Sequence, residues 1–248
     1  MIGADWVTQL ARAAARFALP SVCLACRMEP VEELLRGGVC RACWRALPRP
    51  DGARCVRCAE SLPGSPPEAV CGRCRLDPPA FERLEAAAPY LGASRRVLLA
   101  FKFEGADFLG PRIADVLAAR LAPPEVDEVA AVPATARARR GRGYHPATVL
   151  GAAVARRLGR HFAAERLVKV RDTEIQSRVR AADRARNVRR AFAVSGAAPE
   201  RILLVDDVAT SGATARECAA RLVRAGARRV VVWCFARASR ADIEAEIA

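Results

Sequence analysis

The stretch "ILLVDDVATSGAT", residues 202–214, decides the reading of this chain. Ile202 to Val205 form a continuous apolar run, the pattern of a strand buried on both faces. Asp206 and Asp207 stand at its end, and almost every bulky side chain is missing from the six residues that follow. In an open parallel sheet, ligands bind beyond the carboxyl ends of the strands. Adjacent carboxylates repel one another, so a purely structural role fits them poorly. They suit sugar hydroxyls or a magnesium ion. Ala209, Gly212 and Ala213 leave room for backbone N–H groups to approach an anion, and Thr210, Ser211 and Thr214 add hydroxyls. The helix that follows adds the partial positive charge of its N-terminus. A plain helix cap needs one hydroxyl, not three hydroxyls beside paired acids. The stretch therefore reads as a site for a phosphate next to a diol, which is a ribose phosphate.

From about residue 81 onward, strand and helix patterns alternate around this stretch. "SRRVLLAFKFEG" and "ADFLGPRIADVLAARL" read as helices, the second ended by Pro123 and Pro124. "DEVAAVP", "RLVKV" and "RRVVVWCFA" read as strands. "HPATVLGAAVARRLG" reads as a helix with Pro146 in its first turn, and "GATARECAARLVRAGA" as a helix with Gly226 near its C-cap. This alternation predicts an α/β domain with a largely parallel sheet covered on both faces.

Before residue 75 the texture is different. Eight of the ten cysteines lie there as four C-x-x-C pairs: Cys23/Cys26, Cys40/Cys43, Cys55/Cys58 and Cys71/Cys74. The pairs are separated by 13, 11 and 12 residues, so a two-pair unit is repeated. Each C-x-x-C turn aims two sulfurs at one metal, and two turns complete a closed tetrahedral shell. The spacing predicts two structural Zn2+ sites. Sequential pairing is the expected connectivity, with a crossed arrangement as the alternative. Residues 20 to 80 offer little core, so metal would supply the folding energy. Disulfides would require an oxidising compartment, and no export signal is visible. Cys218 and Cys234 fall in a predicted helix and strand and read as ordinary buried thiols.

The net charge is +14, and nearly all of the basic excess is arginine, since Lys102 and Lys169 are the two lysines. Between Arg137 and Arg190 there are 16 Lys or Arg against 4 Asp or Glu, so this stretch carries most of the excess. Such a bias points to phosphate-bearing partners, small phosphates or nucleic acid. No apolar run approaches the ~20 residues of a membrane span. The segment "MIGADWVTQLARAAARFALP" is interrupted by Asp5, Gln9, Arg12 and Arg16, so it reads as an amphipathic helix rather than a signal peptide. The expectation is a cytoplasmic protein with no membrane insertion.

Several of these pieces together carry a family resemblance. "ILLVDDVATSGAT" resembles the phosphoribosyl pyrophosphate (PRPP) signature of type I phosphoribosyltransferases. The four C-x-x-C pairs, "FKFEG", "AAVPATARARRGRGY" and "RDTEIQSRVRAADRARNVRRAF" resemble the ComF (ComFC-like) family. That resemblance implies a type I phosphoribosyltransferase fold, a parallel-sheet α/β domain at 81–248. A small double zinc ribbon at 21–80, with four cysteines per zinc, and an N-terminal helix at 1–20 would precede it. It implies PRPP with Mg2+ as ligand and a role in natural competence and DNA uptake. Single-stranded DNA and competence-machinery proteins would be its partners. It implies Asp206 and Asp207 as the catalytic pair, with Val208, Ala209, Thr210, Ser211, Gly212, Ala213 and Thr214 around the 5-phosphate. Lys102, Arg137 and Arg140 would meet the diphosphate, and the 171–192 segment would be a hood over the ligand. A phosphoribosyltransferase with an acceptor unrelated to DNA uptake is the alternative, and no residue identifies the base such a reaction would use. One departure stands out: Tyr144, His145 and Pro146 occupy positions where the family has Phe-Asn-Gln.

Overall fold

The computed structural model of the chain describes residues 22–28, 38–133, 143–170 and 191–239. Five strands form one parallel sheet in the order β1-β7-β6-β2-β3: β1 is Arg83–Pro89, β2 Glu128–Ala131, β3 His161–Ala163, β6 Arg201–Ala209 and β7 Arg229–Arg237. Strand β6, which carries "ILLVDD", is central, flanked by β2 and β7. The strand predicted in "RLVKV" forms as β4, Leu167–Lys169, but it pairs antiparallel with β5, Phe192–Val194, outside the main sheet. The helices are α1 Arg41–Arg45, α2 Gly72–Leu76, α3 Gly92–Phe103, α4 Gly110–Arg120, α5 Pro146–Leu158 and α6 Ala213–Arg224. The stretch expected as one helix from Ala106 divides into a 3-10 turn, Asp107–Leu109, and then α4, whose first turn contains Pro111. Helix α4 ends at Arg120, before the two prolines.

Strand alternation sorts the core into two layers. Leu203, Val205, Val231 and Trp233 pack with α3, α4 and α5 through Val97, Leu98, Phe101, Ile113, Leu117 and Leu150. Ile202, Leu204, Val230, Val232 and Cys234 pack on the other face with Cys218, Ala219 and Leu222 of α6. Helix α5 lies close to β2 and β3 at Gly151, where a Cβ would sit 2.7 Å from the Phe162 ring and 3.3 Å from Ala131 Cβ. Cys218 and Cys234 are fully buried, as expected, and burial pushes both thiols well above their ordinary range.

The cysteine units are built into this body. Cys23, Cys40 and Cys43 join the α3/α4 layer, and Arg120 of α4 donates to the carbonyls of Leu47, Pro48 and Ala87. Cys55, Cys58 and Cys74 join the α6 layer with Phe81 and Leu84. The two units thus sit on opposite faces of the sheet.

Candidate functional site

At each cysteine unit, four sulfurs converge. Cys23, Cys26, Cys40 and Cys43 form one group and Cys55, Cys58, Cys71 and Cys74 the other, with all sulfurs of a group within 4.8 Å of one another. This is the sequential pairing, not the crossed one. Cys23–Cys43, Cys26–Cys40 and Cys58–Cys71 Sγ–Sγ distances are 3.8, 3.9 and 3.7 Å, and none of these cysteines is in a disulfide. Zinc–thiolate bonds of about 2.3 Å in a tetrahedron put sulfurs ~3.8 Å apart, so both groups fit a zinc ion. Backbone N–H groups donate to the sulfurs, for example Cys40 N to Cys23 Sγ at 3.2 Å and Cys71 N to Cys55 Sγ at 3.3 Å.

The second site lies where β6 meets α6. Asp206 and Asp207 are near the carboxyl end of the strand, as the apolar run predicted. Alternation sends Asp207 to the α3 face, where Lys102 Nζ reaches its Oδ1 at 3.0 Å, while Asp206 belongs to the α6 face. The Asp206 carboxylate curls back to accept the Asp207 N–H at 2.9 Å. Burial, reinforced by the neighbouring Asp207 charge, pushes the Asp206 carboxyl up to about 8, with Lys102 opposing the shift. Sequence reasoning gave Lys102 only a weak signal, its lysine identity in an arginine-rich chain. The structure ties it to the acid pair.

Val208 and Ala209 complete β6, Thr210 and Ser211 form the turn, and Ala213 and Thr214 open α6. Gly212 is the N-cap of α6 in the left-handed conformation, φ +69°, and a Cβ built there would meet nothing within 4 Å. The turn therefore needs glycine for its backbone, and the space above it is open. Arg137 and Arg140, with Arg139 and Arg142, lie outside the described residues, as does 171–190. Tyr144 donates its hydroxyl to the Phe101 carbonyl, and His145 Nδ1 lies 2.8 Å from Thr148 Oγ1 at the start of α5. The His-Pro departure thus serves the helix start: Pro146 is the first residue of α5 and His145 its N-cap.

Three arginines that sequence reasoning did not single out surround the loop from the ribbon side. Arg237, only 2% exposed, donates to the carbonyls of Cys58, Ala209, Thr210 and Ala238, and pairs with Glu60. Arg73 of α2 donates to the Ser211 carbonyl. Arg216 of α6 donates to Cys74 Sγ at 3.0 Å and to the Asp77 carbonyl at 2.6 Å. In so arginine-rich a chain, nothing in the sequence marked these three.

Comparison with known proteins spans most of the chain. The family described as double zinc ribbon domain matches residues 14–75. The DNA utilization protein YhgH of Salmonella typhi is 33% identical over 230 residues, covering 88% of this chain and 98% of that protein. Its Escherichia coli K12 counterpart is 32% identical over 229 residues with the same coverage. Competence protein F of Haemophilus influenzae is 25% identical over 229 residues, 87% of this chain and 96% of that protein. Among solved structures, the glutamine PRPP amidotransferase from B. subtilis, complexed with ADP and GMP, is similar at 24% identity and TM-score 0.35, covering 56% of this chain. The match spans about a quarter, 26%, of that enzyme's length. The protein TT1426 from Thermus thermophilus is similar at 21% identity and TM-score 0.32, covering 57% of this chain and 78% of that one. With two cysteine clusters of zinc-ribbon geometry, the strand–loop–helix signature at the end of β6, and relatives aligned along nearly their whole length, the chain belongs to the ComF family.

Proposed function

We propose that this protein binds PRPP with Mg2+ at the β6–α6 junction and works in the cytoplasm on incoming single-stranded DNA during natural competence. The observation that carries the ligand reading is the Asp206–Asp207 pair at the end of a central strand, beside the open loop at Gly212. The carboxylates would face the ribose hydroxyls and a magnesium ion, which would screen the charge of the diphosphate. Backbone N–H groups of the 210–212 turn, the hydroxyls of Thr210, Ser211 and Thr214, and the start of α6 would hold the 5-phosphate. Lys102 would exchange its bond to Asp207 for the ligand's phosphates, with Arg137 and Arg140 meeting the diphosphate by forked hydrogen bonds. The names of the relatives and the +14 charge support the DNA part of the reading. Among the described residues no helix is long and apolar enough to cross a membrane.

Calorimetric titration tests both parts. The zinc-loaded chain is titrated with PRPP and Mg2+, then with a short single-stranded oligonucleotide at two salt concentrations. Saturable heat with PRPP only in the presence of Mg2+, and DNA binding that weakens with salt, are expected. Absence of heat with millimolar PRPP and Mg2+ refutes the ligand assignment. DNA binding that is absent at low salt refutes the DNA role.

A further inference from the structure

The second cysteine cluster sits against the loop that the proposed ligand would occupy. Three consecutive carbonyls, from the end of β6 into the loop, are held by two guanidinium groups that connect them to the ribbon, Arg237 at the end of β7 and Arg73 on α2. Ala209 accepts from Arg237 at 3.1 Å and from the Ala238 N–H at 2.9 Å, Thr210 accepts from Arg237, and Ser211 accepts from Arg73. Arg73 lies on α2 between the zinc ligands Cys71 and Cys74, and Arg237 is anchored on Cys58 O at 3.0 Å and on Glu60. Ser239 Oγ donates to Glu60 at 2.8 Å and accepts from Ser61 N at 3.1 Å, which fixes the carboxylate that Arg237 needs. Arg216, in the first turn of α6, donates to the Cys74 sulfur itself.

This arrangement has a stereochemical consequence. A trans peptide is planar, and its C=O and N–H point in opposite directions. Holding the carbonyls of 209, 210 and 211 toward the ribbon therefore aims the N–H groups of 210, 211 and 212 away from it. Three successive N–H groups on one side, with a glycine in the left-handed conformation among them, form an anion-binding concavity. The guanidinium groups facing the carbonyls do not touch the anion.

We propose that the second ribbon is part of the phosphate site: its zinc-held fold positions Arg73 and Arg237, which orient the 209–212 backbone for the anion. The proposal rests on the PRPP reading above. Zinc at Cys55/Cys58/Cys71/Cys74 and phosphate at the loop are then thermodynamically linked, and each stabilises the binding of the other. Zinc at Cys23/Cys26/Cys40/Cys43, on the opposite face, is not. Arg73 and Arg237 are positioning residues, with carbonyl oxygens as their partners at the loop.

The test uses the full zinc-loaded chain and PRPP with Mg2+ as the probe. Arg73 is exposed, so Arg73→Gln leaves the core intact. Arg75→Gln, also exposed on α2, removes the same charge as a control. Calorimetry is expected to give about fivefold weaker PRPP binding for Arg73→Gln, with Arg75→Gln within about twofold of the parent. In parallel, a zinc-selective chelator is added with an alkylating agent, and cysteine labelling is followed peptide by peptide. Saturating PRPP is expected to slow labelling of Cys55, Cys58, Cys71 and Cys74 about fivefold and to leave Cys23, Cys26, Cys40 and Cys43 unchanged. If the parent binds PRPP but Arg73→Gln binds equally well and labelling of the second cluster ignores the ligand, the coupling is overturned and the PRPP reading stands. If the parent binds no PRPP, both fall together.

Discussion

Replacing Asp206 by Asn should change how stability depends on pH. The Asp206 carboxyl titrates at about 8 in the folded chain because it is buried beside Asp207, against 3.8 for the ordinary group. Between those values the folded state holds a proton that the unfolded state has released. Stability from this group is fully present below pH ~4 and is lost as pH rises toward 8, because stability falls wherever the folded state binds more protons. Each pKa unit corresponds to ~1.4 kcal/mol, so the ceiling over this window is about 6 kcal/mol. Asp206 keeps part of its surface toward solvent, which reduces the realised effect to on the order of 1–3 kcal/mol. Asparagine keeps the shape and has no proton to lose. The variant should therefore come closest to the parent near pH 5 and exceed it near pH 8, with Tm about 2–12 °C higher at the alkaline end, at ~2–4 °C per kcal/mol for a domain of this size. Thermal melts at pH 5, 6, 7 and 8, at constant ionic strength and without magnesium or phosphate, measure this. Added Mg2+ and PRPP should reverse the order, since cation binding favours the ionised carboxylate. Parallel Tm profiles for the two proteins, or a variant less stable at pH 8, would refute the argument.

Further outcomes follow from other parts of the molecule. Protein purified without chelator should contain about two zinc ions per chain by elemental analysis; iron, or no metal with the thiols paired as disulfides, contradicts the cluster geometry. Gly212→Glu brings a negative charge to the open loop and a side chain to a backbone at φ +69°; it should abolish PRPP binding in calorimetry while the far-ultraviolet circular dichroism of the domain is retained, at a stability cost of roughly 1 kcal/mol. Joint replacement of Arg139, Arg140 and Arg142 by Ala should weaken oligonucleotide binding and flatten its salt dependence by up to about three phosphate contacts; unchanged affinity and slope would place the DNA surface elsewhere.

The parts of the fold that could be read from sequence are those whose local pattern and tertiary environment agree. β6 and β7 carry runs of branched residues and are buried on both faces, so period and burial coincide. β1 is a different case. "RLEAAAP" holds one branched apolar residue and three alanines, which have low strand propensity. It becomes a strand because β7 offers it a ladder from Arg83↔Val231 to Pro89↔Arg237, a partner about 150 residues away in the chain. For β4 the local pattern was sufficient for a strand but silent on its partner, so its pairing with β5 outside the main sheet emerged only in three dimensions.

The candidate site divides along the same line. Carboxylates, a glycine and hydroxyls in one continuous strand–loop–helix are legible because their chemistry is compressed into 13 residues. The arginines that support the loop are not, because their meaning depends on contacts spanning 138 residues from Arg73 to Ser211 and 179 from Arg237 to Cys58. A guanidinium buried to 2% exposure is costly unless its donors are satisfied. Arg237 meets that condition only because the ribbon, the β6 loop and its own strand converge on it. Removing any one of the three would leave a buried charge short of partners. The ribbon and the loop are in that sense a single cooperative unit, although in the sequence they read as separate domains.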